Sequence, residues 1–362
     1  MDKALLIKNL QSILFLQDKN GYFVDPVTNH IDPRATAEIC KSLLYIGKKS
    51  QAENGFNWLV KIQSKNGSWN EVLHDGFNEE SCVATSIIGR LMLIAYIKTE
   101  NDIYLKSALK SSKYLISKEF SPGYFIKSYK HYGDVLNVNA CCAAFFYKLY
   151  EITKDTKLLT IRDRAIFNII RYQFKDGFYP YASRILTSPY EYHLNLKDPH
   201  YHAITMYFLI LSDPKLENRY LKLSIEKAIK CMKSNIASGN FDWSYGYLQF
   251  SLGLNGGYAY AYFCLKYIDN NYNWLRKFDV NENSLIKRYE HINLFFLIKR
   301  FFREIFNFGI DGNPNYSFWV RMFRIKGIIG RIRTIYLRNK ISLYYSAQMY
   351  DCLTEYFLVI TK

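Results

Sequence analysis

A short pattern recurs along this chain and constrains its fold more than any other feature. It is Gln-x-x-x-Gly-x-aromatic, and its clearest copy is Gln63, Gly67 and Trp69, following the helix-like run that contains Trp58 and Leu59. The same skeleton returns as Gln17, Gly21, Phe23 and as Gln173, Gly177, Tyr179, with softer copies at Glu119, Gly123, Phe125 and at Asn235, Gly239, Phe241. A unit that returns at intervals of roughly 50 residues marks a repeat architecture, which takes precedence over local propensity in deciding the fold.

The segments between copies read as helices. Residues 3–17 place Leu6, Leu10, Ile13, Leu14 and Leu16 at helical spacing. Asp32 and Pro33 read as the N-cap and first position of a helix over 34–46. The spacing then predicts helices over about 51–65, 80–97 (opened by Glu79 and Glu80), 102–119, 135–152 (opened by Asp134), 157–174, one opened by Asp198 and Pro199, 216–236, one starting near Asn255, 284–306 and 343–359. The second helix of each pair is rich in Ala, Cys, Gly and Ser, as a tightly packed inner ring requires; the first is longer and more charged. Twelve helices in six hairpins predict an all-α fold, a closed (α/α)6 toroid, as a single domain over 1–362 with a basic insertion at about 307–341. An open α-solenoid of helix pairs is the competing architecture.

Bulk composition narrows the function classes. With 49% hydrophobic residues the chain can bury a large core. No uninterrupted apolar run reaches the roughly 20 residues of a membrane span, and Met1 to Lys8 lacks the apolar segment of a signal peptide. The seven cysteines show no Cys-x-x-Cys spacing and fall mostly in apolar runs, which points to a reduced, cytoplasmic setting. The formal charge of +16 is concentrated toward the C-terminal part, and it fits an anionic substrate or an anionic membrane face. No base-reading element accompanies it, so nucleic acid is not an expected partner.

Trp58-Leu59-x3-Gln63-x3-Gly67-x-Trp69 resembles the QW-type repeat of terpenoid cyclases and related prenyltransferase-type toroids. Asp198-Pro199-His200-Tyr201-His202 resembles the Asp-x-x-His helix start of toroid proteins in surface-polysaccharide gene clusters. The architecture is also similar to that of polysaccharide lyases, six-hairpin glycosidases and uronyl epimerases. The resemblance implies a toroid with its site at the mouth where the inner helices begin. The terpenoid chemistry is absent: no adjacent Asp-Asp occurs anywhere, so neither the Asp-x-Asp-Asp acid nor the Asp-Asp-x-x-Asp magnesium motif is present. Scaffold alone does not carry that function.

Inner-helix N-termini direct positive dipole ends at one mouth, which favours an anionic ligand. Four of the segments leading there pair a histidine with an acid: His30 with Asp32, His74 with Asp75 and Glu79, His131 with Asp134, and His200 and His202 with Asp198. Each acid taken singly fits a helix cap, worth about 1 kcal/mol; the histidine beside it is what a cap does not need. Two carboxylates facing each other could cleave a glycosidic bond, whereas Tyr190, Tyr192, His200 and Arg184 would suit proton abstraction beside a uronate carboxylate. Trp69, Tyr181, Trp243, Tyr245 and Tyr258 are the expected sugar contacts. The pair His200 and His202 sits at i,i+2, where helical side chains diverge, so no metal is expected, and no cofactor motif appears.

One further segment stands apart. Over 319–340, Ile325, Ile328, Ile329, Ile332 and Ile335 share a helical face flanked by arginines and lysines, the pattern of a helix resting on an anionic membrane surface. The expectation is a carbohydrate-active enzyme acting on an acidic oligo- or polysaccharide by hydrolysis, elimination or epimerisation, in surface-polysaccharide metabolism, cytoplasmic and peripheral to the inner membrane face. The alternatives are a terpenoid or prenyl-chain enzyme, and a non-catalytic toroid that grips a glycan or a protein.

Overall fold

A computed structural model describes residues 3–25, 29–72, 78–183, 199–237, 253–269 and 343–359. The helices are α1 (Lys3–Ser12), α2 (Pro33–Tyr45), α3 (Lys49–Ile62), α4 (Cys82–Thr99), α5 (Asp102–Ser117), α6 (Leu136–Thr153), α7 (Lys157–Arg171), α8 (Pro199–Ser212), α9 (Arg219–Ala237), α10 (Gly253–Ile268) and α11 (Leu343–Val359). The basic run over 319–340 and the expected helix over 284–306 lie outside the described residues.

Two kinds of helix alternate, and burial explains why. In α3 only Ala52, Gly55, Phe56 and Leu59 are buried, one face of an amphipathic helix. In α2, α4 and α6 unbroken runs are buried, from Pro33 to Leu43, Cys82 to Leu93 and Leu136 to Phe146. A helix buried on every side belongs inside. Accordingly α2, α4, α6, α8, α10 and α11 pack in sequence order, and α11 returns against α2 to close the ring. The architecture is the all-α (α/α)6 toroid, with α3, α5 and α7 packed outside α2, α4 and α6. Helix α4 is long and apolar enough on average to cross a membrane, although Arg90 interrupts its apolar run, and 72% of it is buried within the ring. All seven cysteines are buried and free.

The closing seam is polar. Lys41 Nζ of α2 donates to the Asp351 carbonyl (2.7 Å) and to Thr354 Oγ1 (2.9 Å) of α11. Asp25, in the first loop, accepts the backbone N–H of Leu343 at 2.8 Å and so satisfies the start of α11.

The repeated motif has a defined job at the other joints. Gln63 Nε2 donates to the Gly67 carbonyl of its own loop and to the Ser107 carbonyl of the next outer helix, α5, both at 3.0 Å. Gln17 and Gln173 repeat this, reaching Gln51 of α3 and Ser224 of α9. In the softer third copy Glu119 accepts from Gly123 N at 2.8 Å and pairs with Arg164 of α7. Gly67 adopts φ +94°, and an added Cβ would land on the Lys110 carbonyl of α5. The aromatic then fastens the loop to the following inner helix. Backbone N–H groups of Phe23, Trp69, Phe125 and Tyr179 donate to Thr36 (3.3 Å), Thr85 (3.0 Å), Asn139 (2.9 Å) and His202 (3.0 Å) respectively. Each copy therefore joins three elements.

Among the described residues the loops hold two small hairpins that helical periodicity did not predict. Strands β1 (Asn70–Val72) and β2 (Asn78–Glu80) pair antiparallel between α3 and α4, and β3 (Glu119–Ser121) pairs with β4 (Tyr124–Phe125) between α5 and α6.

Candidate active site

Side chains from helices that are not neighbours in the ring meet, which places them in its lumen. Arg34 of α2 donates through Nη2 to Tyr260 OH of α10 at 3.1 Å and through Nε to Glu38 at 2.8 Å. One to two turns deeper, Lys41 pairs with Asp351 and Glu355 of α11, each at 3.0 Å, and Arg90 of α4 reaches Glu355 at 3.2 Å. Tyr207 of α8 donates to Asp351 at 3.1 Å. The ring interior at this depth is thus occupied by a buried ion network rather than by apolar side chains alone.

At the mouth stands Asp32. Its Oδ1 accepts the Arg34 N–H at 2.9 Å as the N-cap of α2, with Pro33 at the first helical position. Its Oδ2 is buried with no hydrogen-bond partner among the described residues. Burial raises its pKa to about 7 against the pull of Arg34, and nearby Glu71 adds to the rise. Glu38 is pushed further, to about 8, again by burial first and with Asp351 and Asp32 adding to it. Glu71 enters from β1, accepting from Ser81 Oγ at 2.9 Å and pairing with Lys127 at 3.4 Å.

Opposite, α8 contributes His200, which is 4% exposed. Its ring lies edge-on to Tyr260 with centroids 6.2 Å apart. Burial, with the Arg34 charge assisting, lowers its pKa to about 3, so the imidazole is neutral across the physiological range. Tyr201 and Tyr181 continue the wall, their ring centroids 4.3 Å apart.

The expected site residues therefore divide. Asp32 and His200 both neighbour the Arg34–Tyr260 pair, Asp32 through the Arg34 N–H and His200 through the Tyr260 ring, and Tyr181 stands beyond His200 against Tyr201. His30 is exposed on the first loop and His131 is half-buried on the third, so neither joins them. Glu79 does not open α4: it sits in β2 paired with Lys130, and Ser81 caps the helix by accepting from Val83 N at 3.1 Å. Asp134 does not cap α6 either. Its carboxylate binds Asn139 Nδ2 (2.7 Å) and Asn168 Nδ2 (3.0 Å), tying α6 to α7. His202 is the fourth anchor for a repeat aromatic, occupying the role of Thr36, Thr85 and Asn139, and is fully buried. Trp69 is 1% exposed and donates its indole N–H to the Leu59 carbonyl at 2.8 Å, so it is a plug rather than an open stacking face. Asp198, Tyr190, Tyr192, Arg184, Trp243, Tyr245 and the side chain of Tyr258 lie outside the described residues.

The residues missed were Arg34, Glu38, Glu71 and Tyr260, together with the network below them. The signal was present: Arg34, Glu38 and Lys41 interrupt the small-residue pattern of an inner helix, and Arg90 is the one charge in Cys82 to Tyr96. A charge on a helix buried all round must face a lumen or a partner.

Solved structures share the whole architecture. The chain is similar to an unsaturated glucuronyl hydrolase specific for heparin, with a TM-score of 0.63 and 11% identity over 100% of this chain and 99% of that one. It is similar to a cellobiose 2-epimerase from Bacillus thermoamylovorans, TM-score 0.61 and 12% identity over 98% and 100%. A third is an alpha-amylase from Clostridium perfringens, TM-score 0.60 and 13% identity over 97% and 96%. The shared feature is the toroid. No family model matches the sequence, and no curated protein matches it. At these identities the likeness establishes the fold, and the chemistry has to be argued from the lumen.

Proposed function

We propose that this protein is a carbohydrate-active enzyme that works by acid–base catalysis at the lumen mouth, with Asp32 as the acid and His200 as the base. The observation that carries the reading is geometric: Asp32, with a buried unpartnered Oδ2, and His200 flank the same Arg34–Tyr260 pair, and the opposed tuning of the two groups supports it. Near neutral pH a large fraction of Asp32 still holds its proton, and His200 lacks one, so donor and acceptor are both in their working forms. Arg34 and Tyr260 hold positions between them and are suited to orienting a sugar's carboxylate and hydroxyls.

An acid–base pair of this kind can protonate a leaving glycosidic oxygen or move a proton on a sugar carbon. Glu71, paired with Lys127 and near Asp32, offers the second carboxylate that hydrolysis requires. An acidic oligo- or polysaccharide is the favoured substrate, supported by the +16 net charge and by Arg34 at the mouth. The basic amphipathic pattern over 319–340 supports a place at the anionic inner membrane face, in surface-polysaccharide metabolism. The similar glucuronyl hydrolase and epimerase agree with a glycan substrate and leave the reaction class to experiment.

The test is a panel of uronate-containing and neutral oligosaccharides incubated with the protein in deuterated water. Mass spectrometry separates the outcomes: hydrolysis adds water, elimination creates an unsaturated uronate, and epimerisation incorporates deuterium without a change of composition. Turnover that falls at least a hundredfold in Asp32→Asn supports the assignment. Turnover unchanged in both Asp32→Asn and His200→Asn overturns it.

A further inference from the structure

We infer that the open groove between the β1–β2 hairpin and the third loop is a second, non-catalytic site that binds a neutral oligosaccharide chain. The groove encloses about 500 Å³ and lies outside the lumen, between the second and third repeat units. That is the size of a small-ligand site, and its lining is polar with one large aromatic face.

Tyr129 supplies that face. It is 93% exposed and stands beside Asn70, Asn78, Glu79, Glu80 and Lys118 in the lining. Rigid aromatics give contact area at little entropic cost, which is why they serve as recognition platforms. Asn70 Nδ2 donates to Asn78 Oδ1 at 2.8 Å, a bond that leaves Asn70 Oδ1 as an acceptor and Asn78 Nδ2 as a donor for ligand hydroxyls. Glu80 is held in place by Asn66 Nδ2, 3.0 Å from each carboxylate oxygen. A fixed carboxylate is suited to accepting two adjacent hydroxyls.

Charge selects among ligands. Glu79 is paired with Lys130, and Lys118 lies over the Tyr114 ring at 5.3 Å, so among the described residues Glu79 and Glu80 are balanced by Lys118 and Lys130 at the groove. On a chain of +16 this is a locally neutral site, unsuited to a polyanion. The comparable groove of the fourth unit differs, being lined by Arg171 and Lys175 with no carboxylate among the described residues. A polar, neutral groove with one bare aromatic fits a polyhydroxylated neutral chain better than an anion or an apolar peptide.

The groove also adjoins the mouth. Strand β1 alternates faces, sending Glu71 toward Asp32 and Asn70 into the groove. A chain seated here would lie one residue's width from the lumen. Its use in holding the neutral residues of a longer substrate whose acidic residue enters the lumen rests on the catalytic reading, but the binding itself does not.

Native gels cast with soluble neutral polysaccharides (mixed-linkage glucan, galactomannan, xylan) test it, with polygalacturonate as the anionic control. The expected result is retardation by at least one neutral polymer, weakened at least fivefold in Tyr129→Ala and in Asn78→Ala and preserved in Tyr129→Phe. Both positions are exposed, so the variants should keep the wild-type melting curve. Retardation unchanged in Tyr129→Ala, no retardation by any neutral polymer, or retardation by polygalacturonate alone overturns the inference. Asp32→Asn should still be retarded, so loss of catalysis and loss of the groove are read separately.

Discussion

Gln63 and Ser107 hold each other twice. The Gln63 amide donates to the Ser107 carbonyl at 3.0 Å, and the Ser107 hydroxyl donates back to Gln63 Oε1 at 2.9 Å. Gln173 and Ser224 repeat the exchange at 2.9 and 2.8 Å. The glutamine thus joins successive outer helices as well as closing its own loop. Gly67→Ala should therefore destabilise the fold by about 3 kcal/mol, because it combines a strained left-handed φ with a clash against the α5 backbone. Gln63→Ala should cost about 2 kcal/mol by stranding buried partners. Guanidinium denaturation checks both; a cost below 0.5 kcal/mol for Gly67→Ala would show that the joint is loose.

Much of this was legible because it repeats. Buried runs in α2, α4 and α6 follow from their small and apolar residues, and the alternation with amphipathic helices follows from periodicity. The site was legible only in part, for a physical reason. Asp32, Asp134 and Asp198 look alike in sequence as acids before a helix, yet Asp32 keeps a buried, unpartnered oxygen at the mouth whereas Asp134 is satisfied by Asn139 and Asn168. Which of them meets a neighbour from a non-adjacent helix is a property of ring closure. Likewise His200 and His202 are two residues apart on one helix and face different surroundings, one the lumen and one the loop of Tyr179.

The deep ion network supports a prediction of opposite sign for one and two substitutions. Glu355 is held to a pKa of about 2 by Lys41 and Arg90, against the burial that opposes its charge. Glu355→Ala should destabilise by about 3–5 kcal/mol, since it leaves buried cations uncompensated. Replacing Arg90 by Met together with Glu355→Leu should recover more than half of that loss, because the remaining Lys41 still has Asp351. Denaturant midpoints of Glu355→Ala and of the double variant decide it; a double variant weaker than Glu355→Ala would show that the network is worth more than its desolvation.

Asp32 and Glu38 should make stability fall as pH rises. Their folded pKa values, about 7 and about 8, lie above the unfolded values of 3.8 and 4.5. Between about pH 4 and pH 8 these two groups hold protons in the folded state that the unfolded state has released; buried His200 and His202 act in the opposite direction below pH 6.5, so the net decline of the unfolding free energy falls between about pH 6.5 and pH 8. Asp32→Asn should flatten the lower part of this slope and Glu38→Gln the upper part. Chemical denaturation at pH 5, 6.5 and 8 measures it. A wild-type protein whose stability climbs between pH 6.5 and pH 8 would contradict the tuning.

The same tuning sets a pH–rate profile. With Asp32 as the acid, kcat/KM should drop as pH rises past about 7; with His200 as the base, the acid limb should lie near pH 3, limited in practice by unfolding. The optimum should sit on the acid side of neutrality. An alkaline optimum would reassign the acid.

His202 provides the control that separates architecture from chemistry. It accepts the Tyr179 N–H where the third unit uses Asn139, so His202→Asn should keep the joint and His202→Ala should lose about 1–2 kcal/mol. Burial lowers the folded pKa of His202 to about 3 from 6.5. Above pH 6.5 the imidazole is neutral in both states; as pH falls toward 3 only the unfolded chain takes up the proton, and stability is lost. His202→Asn should therefore be less acid-labile than the wild type, while glycan turnover is unchanged within twofold. His200→Asn should share the reduced acid lability but lose turnover. If the two substitutions impair turnover equally, the distinction between the loop anchor and the lumen base is wrong, and both histidines act on the substrate side of α8.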